Sequence, residues 1–335
     1  MATIVEEPRK NASQQLAVPP PGQDLAEAAH TGSVAVARFR TANRTSNLAG
    51  QGQTIHVAAP SLAPLADQFL PTRMAALEIR RIIIEQSYRA HVGHIGSALS
   101  IADIIAALYG VVLRIDSCED PNRDRFILSK GHAALALYAA LHLRGWISWD
   151  ELNCFCGDGS LLGVHPEFEQ RGIDFTTGSL GQGLSMAVGA ALAARWQLSS
   201  RRVFVLLSDA ECNEGSVWEA VMLAKQQRLG NLIAVIDVNG QQALDYTNRV
   251  LDLDPLEDRW RAFGWDTHVV DGHNPDELAS VMLELDTRPG PPHVVLAKTV
   301  SGKGVSFMQN QIQWHYLPLS REQRAQALWE LEAIT

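Results

Sequence analysis

The pattern of apolar positions changes near residue 66. Before it, Ala, Ser, Gln, Thr and Pro dominate, "AVPPPG" interrupts, and no period is sustained. Residues 1–65 therefore read as an N-terminal arm, disordered or loosely docked. From Pro71 onward, Met74, Leu77, Ile79, Ile82, Ile83 and Tyr88 mark one apolar side of a helix. A buried helix in "LSIADIIAALYGVVL" follows, then a short strand in "DRFILS" and a helix in "GHAALALYAALHLRG" closed by Gly145. "GQGLSMAVGAALAARWQL" predicts a small-residue helix suited to close packing. Strands in "RVFVLLSD", "NLIAVIDV", "WDTHVVDG" and "PHVVLAKTV" alternate with helices in "EGSVWEAVMLAKQQRL", "LEDRWRAFG" and "PDELASVMLEL", and a last helix starts at Ser320. Strands that are apolar along their length have no wet face. The expected fold is therefore α/β, a doubly wound parallel sheet with helices on both faces, over residues 66–335. Such sheets bind ligands beyond the carboxyl ends of their strands.

Composition narrows the function classes. The chain is 46% apolar and 19% charged, with a net charge of −9, which argues against a nucleic-acid surface and against bulk steering of anionic sugars. No apolar run is long enough to span a membrane, and acidic Glu6 and Glu7 with no apolar stretch near the start argue against a secretory leader. Cys118, Cys154, Cys156 and Cys212 form no disulfide or zinc framework, so reduced thiols in a cytoplasmic protein are expected.

Two oxygen-bearing residues end consecutive strands. Asp209 closes "VFVLLSD" and Asn239 follows "NLIAVIDV" some 30 residues later, the length of one helix and a return strand. With the backbone carbonyl near Gln241 they make a hard-oxygen set suited to Mg²⁺, or to Ca²⁺ or Mn²⁺ in its place, an ion that usually shares its shell with substrate phosphates. A helix starting near Asn213 would turn its free N–H groups to the same spot. A helix cap at Asp209 and a turn at Asn239 account for these two residues equally well.

The wider set of motifs resembles the thiamine-diphosphate-binding, N-terminal domain of transketolases. The resemblance covers about residues 72 to 318 and includes "GHIGSALS", "DRFILSKGHAALALYAAL", "GVHPE", "TTGSLGQG", "SDAECNEGS", "DVNGQQ" and Trp314-His315. It implies thiamine diphosphate and a divalent metal held by Asp209, Asn239 and Gln241. Ser208 and Ala210 stand where the family motif has glycines; both are small and keep their N–H groups. The cofactor contacts it implies are His132, Gly178, Ser179, Leu180, Ser208, Asp209, Ala210, Glu214 and Asn239, and Glu214 reads equally as a first-turn helix acid.

The implied reaction moves a two-carbon ketol group from a ketose, such as a ketose phosphate, to an aldose. It requires protons to leave one hydroxyl and arrive on another oxygen, work suited to imidazole. Of the chain's 11 histidines, His94, His132, His165 and His315 fall on motif positions and are the expected catalytic set. His94 and His315 would sit near the reacting oxygens, His132 near the cofactor, and His165 at the substrate's first hydroxyl or carbonyl. His30, His56, His142, His268 and His293 match no motif, and Lys303 is a weaker candidate for substrate contact. No second α/β pattern follows residue 318, whereas the family needs a pyrimidine-binding half. The resemblance therefore implies a separate C-terminal subunit, two copies of each forming a heterotetramer. The alternatives are a non-catalytic cofactor-binding scaffold and a 2-oxo acid dehydrogenase-type subunit; His94 and His165 favour a sugar. A nicotinamide fingerprint in "TTGSLGQG" is weak, since no suitable strand precedes it.

Overall fold

A computed structural model describes residues 69–333, and the expected arm, residues 1–65, lies outside them. Helix α1 (Thr72–Ala90) buries Ala75, Ile79, Ile82 and Ile83; of the expected apolar side, Leu77 and Tyr88 are half-buried and Met74, near the start of the helix, is exposed. The next apolar stretch is not one helix. It divides into α2 (Ile95–Ser100) and α3 (Ala102–Ala107), and α3 runs into a wide π turn (Leu108–Val112). Ile101, at φ −98° and ψ 3°, makes the break. Apolarity on all sides marked the segment as buried but carried no signal for the bend.

Strand β1 (Arg125–Leu128) leads through a short 3₁₀ turn into α4 (Ala134–Leu143), and Gly145 ends it at φ +72°. A one-turn α5 (Trp149–Leu152) is capped by Ser148, and α6 (Gln182–Trp196) is the small-residue helix. Then come β2 (Val203–Ser208), α7 (Gly215–Gln226), β3 (Leu232–Val238), a one-turn α8 (Thr247–Val250), and α9 (Leu256–Ala262). The chain closes with β4 (Asp266–Asp271), α10 (Pro275–Glu284), β5 (His293–Lys298) and α11 (Arg321–Glu332), whose N-cap is Ser320 in a capping box.

Among the described residues the five strands are all parallel, in the order β1-β2-β3-β5-β4. Alternate residues divide between two cores. Phe204, Leu206, Ile233, Val235 and Val295 face α1, α3, α4 and α10, while Val205, Leu207, Ala234, Ile236 and Leu296 face α6, α7 and α9. This is the doubly wound α/β sheet expected from continuous apolar strands. The carboxyl ends of β2 and β3 lie at its middle, with Ser208 opposite Asp237. Among the described residues, no helix is long and apolar enough to cross a membrane.

Candidate active site

The ends of β2 and β3 bring Asp209 and Asn239 to one place. Asp209 is buried; its Oδ2 accepts from the N–H of Gly240 at 2.8 Å and its Oδ1 from that of Ala210 at 2.9 Å. Asn239 Oδ1 accepts from the Gln241 N–H at 2.9 Å, and its Nδ2 donates to Asp237 Oδ2 at 2.8 Å. Burial, and then the Asp237 carboxylate, push the Asp209 carboxyl up to about 7. The protein thus leaves this carboxylate short of positive charge.

Beside it opens a cavity of about 210 Å³, lined by His94, His132, His165, His315, Gly178, Leu180, Ser208, Ala210, Asn239 and Gln241, among others. Three imidazoles form a triangle, with ring centroids 5.3 Å (His94–His132), 5.0 Å (His94–His315) and 5.3 Å (His132–His315) apart. The chain geometry that builds it is specific. His94 has a left-handed backbone, φ 61°, and its N–H donates to the His315 carbonyl at 3.2 Å. At Gly93 a Cβ would stand 2.5 Å from the Tyr316 carbonyl oxygen, so the His94 and His315 loops touch only because this residue has none. His132 pairs through Nε2 with Ser97 Oγ at 2.8 Å. His165 comes from a separate loop, and its ring lies 3.0 Å from where a Cβ on Gly178 would be.

All three clustered imidazoles are held below their ordinary pKa, and burial is the first cause in each. Lys130 adds to this at His132, and His94 helps bring His315 down to about 4. They are therefore neutral at physiological pH. His94 Nδ1 and Gln241 Nε2 are buried side-chain atoms with no partner among the described residues, and both residues line the cavity.

Ser208 and Ala210 fit without disturbing the turn. The Ser208 hydroxyl is used internally, accepting from the Glu211 N–H at 3.2 Å. A short 3₁₀ turn (Ala210–Asn213) separates β2 from α7, so the helix starts at Gly215 with Glu214 as N-cap, two residues later than expected. Glu214 and Ser179 are exposed.

Several groups here escaped sequence reading. Glu211 accepts from the Ser129 hydroxyl at 2.5 Å, the Gly181 N–H at 2.9 Å and the Ser208 N–H at 2.9 Å. Lys130, fully buried, donates to Asp237 at 2.5 Å and to the Ser97 carbonyl at 3.3 Å. His273 joins Asp103 to the Val300 N–H, each at 2.8 Å. The signal for Lys130 was its place two residues past β1 and that for Glu211 its place in the acidic turn after β2, though neither pointed to its partners; for His273 nothing local distinguishes it from a surface residue. Lys303 lines a different cavity, with Arg73, Arg80, Asp103 and His273.

Residues 72–331 match the family model "Transketolase, thiamine diphosphate binding domain". That defines the class: a domain built to bind thiamine diphosphate. Among relatives, the chain is 41% identical over 271 residues to the 6-deoxy-6-sulfo-D-fructose transketolase subunit SqwG of Clostridium sp. (strain MSTE9), covering 80% of this chain and 98% of that one. It is 38% identical over 254 residues to one subunit of the apulose-4-phosphate transketolase of Phocaeicola vulgatus, covering 75% and 90%. The solved transketolase from Leishmania mexicana superposes with a TM-score of 0.73 at 29% identity, over 79% of this chain and 42% of that one. The chain belongs to the transketolase family. It spans about two fifths of the length of the solved transketolases and nearly all of the two subunits.

The residues present fit the cofactor. A buried, under-compensated carboxylate, an amide oxygen and nearby N–H groups suit a divalent ion and a diphosphate. The unpartnered polar atoms of His94 and Gln241 face a cavity where a ligand would satisfy them.

Proposed function

We propose that the chain is the thiamine-diphosphate-binding subunit of a two-chain transketolase, moving a two-carbon ketol group from a ketose phosphate to an aldose phosphate. The observation that supports this most is the convergence of His94, His132 and His315 on the cavity whose other wall carries Ser208, Ala210 and Asn239. Thiamine diphosphate, when bound, supplies the electron sink that carbon–carbon cleavage beside a carbonyl requires. Asp209, Asn239 and the Gln241 carbonyl hold Mg²⁺, or Ca²⁺ or Mn²⁺ in its place. Gly178, Ser179, Leu180, Ser208, Ala210, Glu214 and His132 make the cofactor contacts.

The imidazoles orient the sugar and carry protons. A neutral ring both donates and accepts, so His94 and His315 can take a hydroxyl proton at one oxygen and return it at another. His165, on its own exposed loop, bonds the first hydroxyl or carbonyl of the sugar. The carboxylates Glu211 and Asp237 stay committed to internal partners.

The names of the two similar subunits support a partner chain; that chain would bring the pyrimidine-binding half, in a tetramer of two copies of each. Exposed free thiols at Cys154 and Cys156 support a reducing, cytoplasmic setting. The test is to mix the chain with that partner, thiamine diphosphate and Mg²⁺ and follow ketol transfer from a ketose phosphate. Activity should appear only in the mixture and vanish with Asp209→Ala. Turnover by the chain alone would refute the split assembly, and cofactor binding without turnover would leave a scaffold.

A further inference from the structure

Far from the imidazole cavity, at the amino end of the sheet, a second group of side chains meets. Asp266 opens the edge strand β4, and His293 opens β5 directly opposite it. His268 lies two residues after Asp266 and so shares its face of the strand. His293 Nδ1 is 3.0 Å from Asp266 Oδ2, and His268 Nε2 is 3.2 Å from the same oxygen. The donor atoms of all three lie within 4.8 Å of one another.

We infer that Asp266, His268 and His293 form a site for one divalent ion of the zinc type, tying the edge strand β4 to β5. Four observations carry this. First, the spacing is right: tetrahedral ligation at metal–donor distances of about 2.0–2.1 Å separates neighbouring donors by about 3.3 Å. The two N···O distances, 3.0 and 3.2 Å, are close to that, and the remaining N···N separation is within 4.8 Å. Second, the orientation is right. His293 Nε2 faces the Asp286 carbonyl at 2.9 Å, and a ligating imidazole commonly donates its other N–H to such a group, which frees Nδ1 to bind. Third, His268 Nε2 is buried and forms no aligned hydrogen bond with any described residue, although it is within ion-pair distance of Asp266. That nitrogen therefore has no committed partner among the described residues.

Fourth, the site is reachable. The Asp266 side chain is 48% exposed and that of His268 32%, against 4% for His293. His293 is fixed in the core, the His268 ring is partly exposed with its Nε2 turned inward, and Asp266 opens the site to solvent. Two imidazoles and one carboxylate suit zinc better than magnesium. A clamp here would hold the outermost strand at the end of the sheet opposite the active-site loops. It shares no residue with the proposed catalytic machinery and does not depend on it.

The test uses the full chain, stripped of metal and titrated with Zn²⁺, then with Co²⁺ for its visible spectrum. One zinc per chain is expected, with a rise in Tm. His268→Gln, a change at a residue with no hydrogen bond to lose, should weaken binding at least tenfold and abolish the Tm rise. Asp266→Asn should behave alike, and either variant mixed with the partner chain should keep its ketol-transfer activity. Three results would overturn the site. One is no zinc uptake at all, which leaves an Asp266–His293 ion pair. Another is equal uptake by wild type and both variants, an adventitious ion only. The third is uptake that persists in them and disappears in His315→Gln, which would move the ion to the imidazole triangle.

Discussion

A carboxylate shut away from water needs a counter-charge, and Asp237 finds it in Lys130. Removing one member of such a pair strands the other, at a cost of roughly 3–5 kcal/mol. Lys130→Met should therefore lower the urea midpoint sharply, far more than a change at exposed Lys225. Glu211 sits in a similar position, with three donors aimed at its two oxygens. Glu211→Gln preserves shape but turns an amide NH₂ toward a backbone N–H, so about 2 kcal/mol should be lost. Because Glu211 joins Ser129, Gly181 and Ser208, the same change should also weaken thiamine diphosphate binding, readable by fluorescence. These residues explain what the sequence could show at this scale. Asp209 and Asn239 were legible because each follows an apolar run and the two are one βαβ unit apart. Lys130–Asp237 was not, since its partners are 107 residues apart and nothing in either segment names the other.

Elements differ in the same way. β1, β2, β3 and β5 were readable because parallel strands covered on both faces need unbroken apolar runs, whereas β4 is an edge strand exposed along most of its length, marked only by Val269 and Val270. The bend at Ile101 was not, because a helix buried on every side has no polar stripe to register a change of direction. That bend places Asp103 at the start of α3, where Arg80 of α1 and His273 both bind it. Burial pulls the Asp103 carboxyl upward, but the hydrogen bond from His273 and the charge of Arg80 outweigh it and hold it below its ordinary value. Its stabilising effect is thus present above the unfolded carboxylate range and lost as pH falls beneath it. His273 passes this order on to Val300, next to Ser301 in the cavity. Asp103→Asn should cost about 3 kcal/mol and loosen the 299–304 loop. Faster amide exchange at Val300, with little change in the β2 core, is the expected signature.

At the scale of the whole molecule, the imidazole triangle contributes to the response to acid. Groups whose folded pKa is lowered leave the unfolded chain binding more protons, so stability falls as pH drops. The contribution of His315 is complete above 6.5, decreases below that and is exhausted near 4. Asp209, raised to about 7, acts in the opposite sense over the same range, so the comparison is best made between wild type and His315→Asn. The variant's Tm should vary less steeply from pH 7 to pH 4. Exposed Trp196, Leu198, Met222 and Leu223, around the ends of α6 and along α7, give the molecule an apolar surface of the sort that assembly covers. Small and apolar residues run all round α6, so no local pattern marked which of them face solvent.

The Lys130–Asp237 bond spans the sheet, since β2 lies between the strands that lead to its two ends. It can close only when three strands have stacked in the native order. A misassembled sheet, with β1 on the wrong neighbour or shifted by a residue, would leave an ammonium and a carboxylate marooned in hydrocarbon. The cost of leaving either charge buried alone exceeds the net gain from pairing them, so the pair distinguishes arrangements of the sheet more than it adds to stability.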